Sequence, residues 1–198
     1  MLTSTYTLVA LSVEQARARV EVQALMERWR PNTWWGEGPH QWTVRQFEQA
    51  CESLRRVYES CHWRKLDRFV LPALQRAGAA AEALVARLEG LSRRALDARV
   101  MAQAKAAEGS PDCLRAVEHC CSLLLERLEL EERELFPLAR TLISGETWFA
   151  IANQMLAYEA SQVESRPPAG VPAAGAPAAR PVPAEYASRK GSTLPLVH

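Results

Sequence analysis

His62-Trp-Arg-Lys-Leu-Asp-Arg-Phe-Val-Leu-Pro-Ala-Leu74 and Arg127-Leu-Glu-Leu-Glu-Glu-Arg-Glu-Leu-Phe-Pro-Leu-Ala139 are two versions of one segment. Aligned on Pro72 and Pro137, the first copy has Leu66 and Asp67 where the second has Glu131 and Glu132. Residues four apart on a helix project from one face, so a His followed by Glu at that spacing aims an imidazole and a carboxylate at one point. Each copy holds half of such a pair. The first keeps His62 but has Leu66 in place of the acid, and the second keeps Glu131 but has Arg127 in place of the imidazole.

Outward from these segments the chain reads as helices. Leu8, Leu11, Gln15, Ala18, Val22, Leu25 and Trp29 recur at the three-and-four spacing of a buried face. This predicts a first helix from near Tyr6 to Arg30-Pro31, with Gln15 pointing inward. A second helix is expected from an N-cap at Thr43 to about Arg76, with Phe47, Cys51, Leu54, Tyr58, His62, Leu66 and Phe69 inward and Gly78 ending it. A third spans about Ala80 to Ala107. The fourth carries the stripe Cys113, Val117, Cys120, Leu124, Arg127, Glu131, Glu134 and Leu138. Pro72 and Pro137 are expected to kink their helices, because proline removes a backbone donor and crowds the preceding turn. Glu146 to Glu159 reads as a short fifth helix packed outside. Short connections favour antiparallel neighbours, giving an up-down-up-down four-helix bundle over residues 1–162. Residues 163–198 read as a disordered Pro/Ala-rich tail, with seven of the twelve prolines and few bulky apolar residues.

The two segments, with Leu-Phe-Pro following the second, resemble the hemerythrin-like, cation-binding family, whose motif is named for its His, His and Glu ligands. The likeness runs over roughly residues 5 to 160. It implies an all-α, antiparallel bundle around a non-heme di-iron centre, and roles in oxygen binding, oxygen or redox sensing and iron handling. In that family helices one and three each bring a His, and helices two and four each bring His-x-x-x-Glu. This chain departs from the pattern at most of those positions. Helix one reads Glu14-Gln15 where the family has Glu-His. Helix three offers Glu89-Gly90, or Leu88 or Leu91, none of which is a ligand. Helix four replaces the His by Arg127, whose guanidinium is a fixed positive charge where a metal needs a neutral nitrogen.

Buried charges need partners, because an isolated buried ion costs several kcal/mol. Arg127 and Glu131 are therefore expected to pair in the core, with Gln15 or His62 hydrogen-bonded to them, in the volume that metal ligands fill in relatives. The alternative is a residual metal site on His62, Glu131 and Gln15. Asp67 falls about 100 degrees from Leu66 on a helical wheel and is expected to point away from it. The Trp-rich connection with Trp34, Trp35 and Trp42 reads either as indoles closing one end of the core or as a surface for a partner. Cys51, Cys113 and Cys120 fall on buried stripes, where a thiol behaves as a small hydrophobe.

Composition narrows the function further. A formal net charge of +1 with acids and bases interspersed gives no basic stripe for nucleic acid. No apolar run reaches membrane-spanning length, and five cysteines without regular spacing fit a reducing compartment, so a cytoplasmic protein is expected. No nucleophile with a base, phosphate-cradling loop or carboxylate pair is in evidence. The expected function is a non-enzymatic binding or regulatory module without a cofactor, acting on an unknown protein partner or through self-association. The alternative is a residual oxygen or redox sensor carrying non-heme iron.

Overall fold

The computed structural model describes residues 2–29, 42–59 and 61–164. Every regular element among them is helical, and no strand is present among these residues. Helix α1 covers Leu2–Trp29, α2 Val44–Tyr58, α3 Cys61–Lys65 and α4 Leu71–Ala77. Helix α5 covers Glu82–Ala107, α6 Asp112–Leu130, α7 Phe136–Leu142 and α8 Gly145–Glu164. One π turn, Leu66–Val70, joins α3 to α4, and another, Glu131–Leu135, joins α6 to α7. None of the helices among the described residues is long and apolar enough to cross a membrane.

Local chemistry sets the ends. At α2 the Thr43 hydroxyl accepts from the Gln46 backbone N–H at 3.3 Å, and the Gln46 side-chain oxygen Oε1 accepts from the Thr43 N–H at 2.9 Å. This reciprocal capping box satisfies two otherwise orphaned donors. Between α5 and α6, Gly109 adopts φ +66°. Its N–H reaches the Ala106 carbonyl at 3.0 Å, and that of Ser110 reaches Lys105 at 2.9 Å, so the helix closes on itself and the chain reverses. α6 then runs back along α5, with the Cys120 thiol donating to the Ala95 carbonyl at 3.2 Å and Arg87 reaching Glu134 at 2.9 Å.

The two related segments have become the two π turns, at equivalent positions. The Leu71 N–H donates to Leu66 O and the Phe136 N–H to Glu131 O, five residues back in each case. Pro72 and Pro137 follow as the second residues of α4 and α7. A widened turn gives the ring room beside the carbonyl it would strike in an α-helix, so the helix continues through the proline. The expected kink is thus a π turn. The extra residue also rotates the buried stripe: after Glu131 the inward residues are Leu135 and Ala139, while Glu134 lies on the surface. In the first copy Val70 and Leu74 take the inward places, and Phe69 is half-buried.

Two other expectations change. The second helix is divided, since α2 ends at Tyr58 with Glu59 as its cap and α3 starts at Cys61. The last helix is 20 residues long rather than short and external. It buries Trp148 completely, with Ile151 and Met155, against the common core. With its indole fully buried among residues of the common cluster, α8 is part of the core.

Candidate functional site: a buried arginine between two π turns

Arg127 sits in the last turn of α6 with 3% of its surface exposed, and Glu131, which opens the following π turn, has none. The Arg127 Nε donates to Glu131 Oε1 at 2.9 Å. Its Nη2 donates to Asp67 Oδ1 at 2.6 Å, and its Nη1 donates to the Ser92 hydroxyl. Ser92 in turn donates to the Leu88 carbonyl at 2.9 Å. One planar guanidinium therefore ties α6 to both π turns and to α5, using the fixed fork of donors that lysine lacks. Burial works against its charge, and the carboxylates of Glu131 and Asp67 outweigh that cost, holding its pKa above the ordinary arginine value. The other acids of the second π turn hold neighbouring helices from outside: Glu132 accepts from Arg19 of α1 at 2.7 Å, and Glu134 accepts from Arg87 of α5.

The structure separates the residues singled out from the sequence. Arg127 and Glu131 meet. Gln15, 5% exposed, donates to the carbonyl of Leu128 at 2.7 Å. Gln15 or His62 was expected to hydrogen-bond the ion pair; the Gln15 amide braces α1 against the α6 backbone at the residue after Arg127. Asp67, expected to point away, turns to Arg127, since the long guanidinium reaches across to a carboxylate on the widened turn. The side chain of His62, and Trp34 and Trp35, lie outside the described residues. Trp42 is half-buried on Trp29, with ring centroids 5.9 Å apart and planes tilted by 50°.

Sequence reasoning missed two participants. Ser92 follows Leu88 by one helical turn and was passed over beside the apolar stripe of α5, although its spacing carried the signal. Lys65, 4% exposed, donates to Glu14 of α1 and Glu159 of α8, forming a second buried cationic junction. Burial opposes its charge, and the hydrogen bonds from the two glutamates reverse that, raising its pKa above the ordinary lysine value. The second oxygen of Glu14, Oε2, is buried without a hydrogen-bond partner. No spacing rule could have announced Lys65, whose partners come from 51 and 94 residues away.

A cleft of about 200 Å³ opens onto the Arg127 fork between Tyr58, Trp63, Arg64, Asp67 and Ser92. Arg99 lies over the Tyr58 ring at 5.3 Å, and burial raises the Tyr58 pKa. Glu131 and Asp67 already face a permanent cation that contributes no lone pair, and no group of three or more His, Cys, Asp or Glu placed to hold a metal occurs among the described residues. The Ser92 hydroxyl is engaged by Arg127 and by the Leu88 carbonyl. What the arrangement does chemically is to hold one positive and two negative charges in fixed positions, with Asp67, 47% exposed, as the carboxylate that water reaches. No protein-family model matches the chain, and no curated protein or solved structure matches it either.

Proposed function

We propose that the chain is a hemerythrin-like, up-down-up-down four-helix bundle with an added C-terminal helix, in which the Arg127 network stands where that fold holds iron. It serves as a non-enzymatic binding or regulatory module. The single observation that supports this most is the fork of Arg127 onto Glu131, Asp67 and Ser92. The four arms of the bundle would be α1, α2 to α4, α5, and α6 to α7, each bringing one polar group to the middle layer: Gln15, Asp67, Ser92 and Arg127 with Glu131. The cleft beside Tyr58 and Arg64 is where a ligand would meet this layer. The test is elemental analysis of untagged protein after anaerobic reconstitution with ferrous iron. Less than about 0.1 metal per chain is expected, and about two irons per chain would overturn the proposal.

A second reading, self-association, rests on one feature of α1. Tyr6, Val9, Val13 and Val20 are 75%, 55%, 65% and 64% exposed. They fall at heptad a and d spacing on the face opposite the core, with Ala16 completing the row. Such a row suits the α1 of a second copy, because a heptad seam is what a partner helix packs into. Light scattering across a concentration series would show a dimer that Val13→Glu returns to monomer; a wild-type chain monomeric at 100 μM would remove this reading.

A further inference from the structure

We propose that Cys51 and Cys113 form a redox-active dithiol site that closes to an intramolecular disulfide when the protein meets hydrogen peroxide. The two sulfurs stand 3.7 Å apart in a direct thiol contact, although 62 residues separate them in the chain. Cys51 lies on α2 and Cys113 in the first turn of α6, so the bond would staple two helices that the backbone joins only through α3, α4 and α5. A contact at that distance needs the sulfurs to close by roughly 1.7 Å to reach a covalent S–S length. Cys120 and Cys121 are equally buried, but Cys120 spends its thiol on the Ala95 carbonyl, and neither has a sulfur neighbour of this kind among the described residues.

The order of events follows from access. Cys51 keeps 7% exposure and Cys113 has none. Peroxide therefore meets Cys51 first. The Cys51 sulfur, having lost its proton, attacks the peroxide: an S–O bond forms, the O–O bond breaks, and hydroxide leaves and takes up a proton as water. The Cys113 sulfur then attacks the Cys51 sulfur of the resulting sulfenic acid. The S–S bond forms, the S–O bond breaks, and the departing hydroxide with the Cys113 proton gives the second water. Two thiols are oxidised by two electrons and one peroxide is reduced to two waters. Burial raises the pKa of both thiols, Cys113 to about 12, so the thiolate fraction is small at neutral pH and the rate should climb as pH rises. The pair lies about 21 Å along α6 from Arg127, by the helical rise, so it works whether or not the proposed role of that residue is right.

The experiment uses the full chain, reduced and freed of reductant, exposed to hydrogen peroxide under native conditions, quenched with catalase, then denatured and alkylated. Intact mass should fall by two daltons before alkylation, two thiols should escape the alkylating reagent, and peptide mapping should join Cys51 to Cys113 within one chain, reversibly with dithiothreitol. Cys113→Ser should leave Cys51 as a sulfenic acid trapped by dimedone. Retention of every thiol, a crosslink mapping to Cys61, Cys120 or Cys121, or a Cys51–Cys113 bond that forms only in denaturant would overturn the proposal.

Discussion

At the scale of single residues the decisive group is the Arg127 guanidinium, buried in the last turn of α6. An imidazole presents one donor or acceptor along a short stem, whereas Arg127 spans several ångströms and serves three partners on three elements. Its value to the fold comes from pairing, since Glu131 is fully buried and the guanidinium answers its charge. Changing Arg127 to Met should cost at least roughly 3 kcal/mol in urea unfolding, because Glu131 is left charged inside the core. Arg127→Lys, which keeps the charge and loses the fork, should fall between Met and the wild type. A loss under about 1 kcal/mol for Arg127→Met would mean that the pair is not truly desolvated. The Arg127–Glu131 contact was legible from its four-residue spacing. Spacing placed Ser92 one turn after Leu88, but that it and Asp67 would be the other partners was not legible, since they reach the guanidinium from elements 35 and 60 residues away.

At the scale of elements, two glycines on or beside one helix should answer oppositely to the same change. Gly90 lies inside α5, and a Cβ placed there would meet nothing within 4 Å. Gly90→Ala should therefore stabilise the protein by about 0.5–1 kcal/mol, through lower chain entropy in the unfolded state and better helix propensity. Gly109 closes α5 at φ +66°, and a Cβ there would approach the Val44 side chain at 3.3 Å. Gly109→Ala should cost about 1 kcal/mol or more, since it puts an L side chain in the left-handed region against a neighbour. Thermal unfolding of the two variants reads both signs, and a destabilising Gly90→Ala would reveal an approach to that surface by a group that is not among the described residues. The π turns belong to this scale too. Pro72 and Pro137 were visible in the sequence as interruptions of helix, but a kink and an inserted residue look alike until the buried stripe beyond them is seen to rotate.

At the scale of the whole molecule, burial sets an alkaline limit on stability. It pushes the Cys113, Cys120 and Cys121 thiols up to about 12 and raises that of Cys51, from an ordinary value of 9.0. Lys65, held by Glu14 and Glu159, is also raised, from 10.5. For each thiol the folded pKa lies above the unfolded one, so its contribution is intact below pH 9 and is lost as pH rises from there toward 12. Lys65 acts in the same direction, above about pH 10.5. Stability should thus be level up to about pH 9 and then fall by about 1.4 kcal/mol per pH unit for each thiol that ionises only in the unfolded chain. Urea midpoints between pH 7 and 11 would show this, with a shallower fall in Cys120→Ala; a level profile to pH 11 would mean that the thiols are not sealed from water. Elsewhere in the fold α8 buries Trp148 and packs on the first π turn, where the Tyr158 ring meets Phe69 at 5.8 Å and Arg68 at 5.4 Å.

Periodicity made the helices readable. Apolar residues three and four apart placed Leu8 to Trp29, Phe47 to Leu54 and Cys113 to Leu124 on the inward faces where they lie, because burial of one face is what selects a helical register. Capping chemistry made Thr43 readable as a start and Gly78 and Gly109 as ends. Only the tertiary structure could decide what depends on distance across the fold rather than along the chain. Which acid answers Arg127 at the open side, which carboxylates enclose Lys65, which thiols touch, and how far α8 sinks into the core all require helices to be brought together, and a one-residue π insertion is enough to change which side chains then face one another.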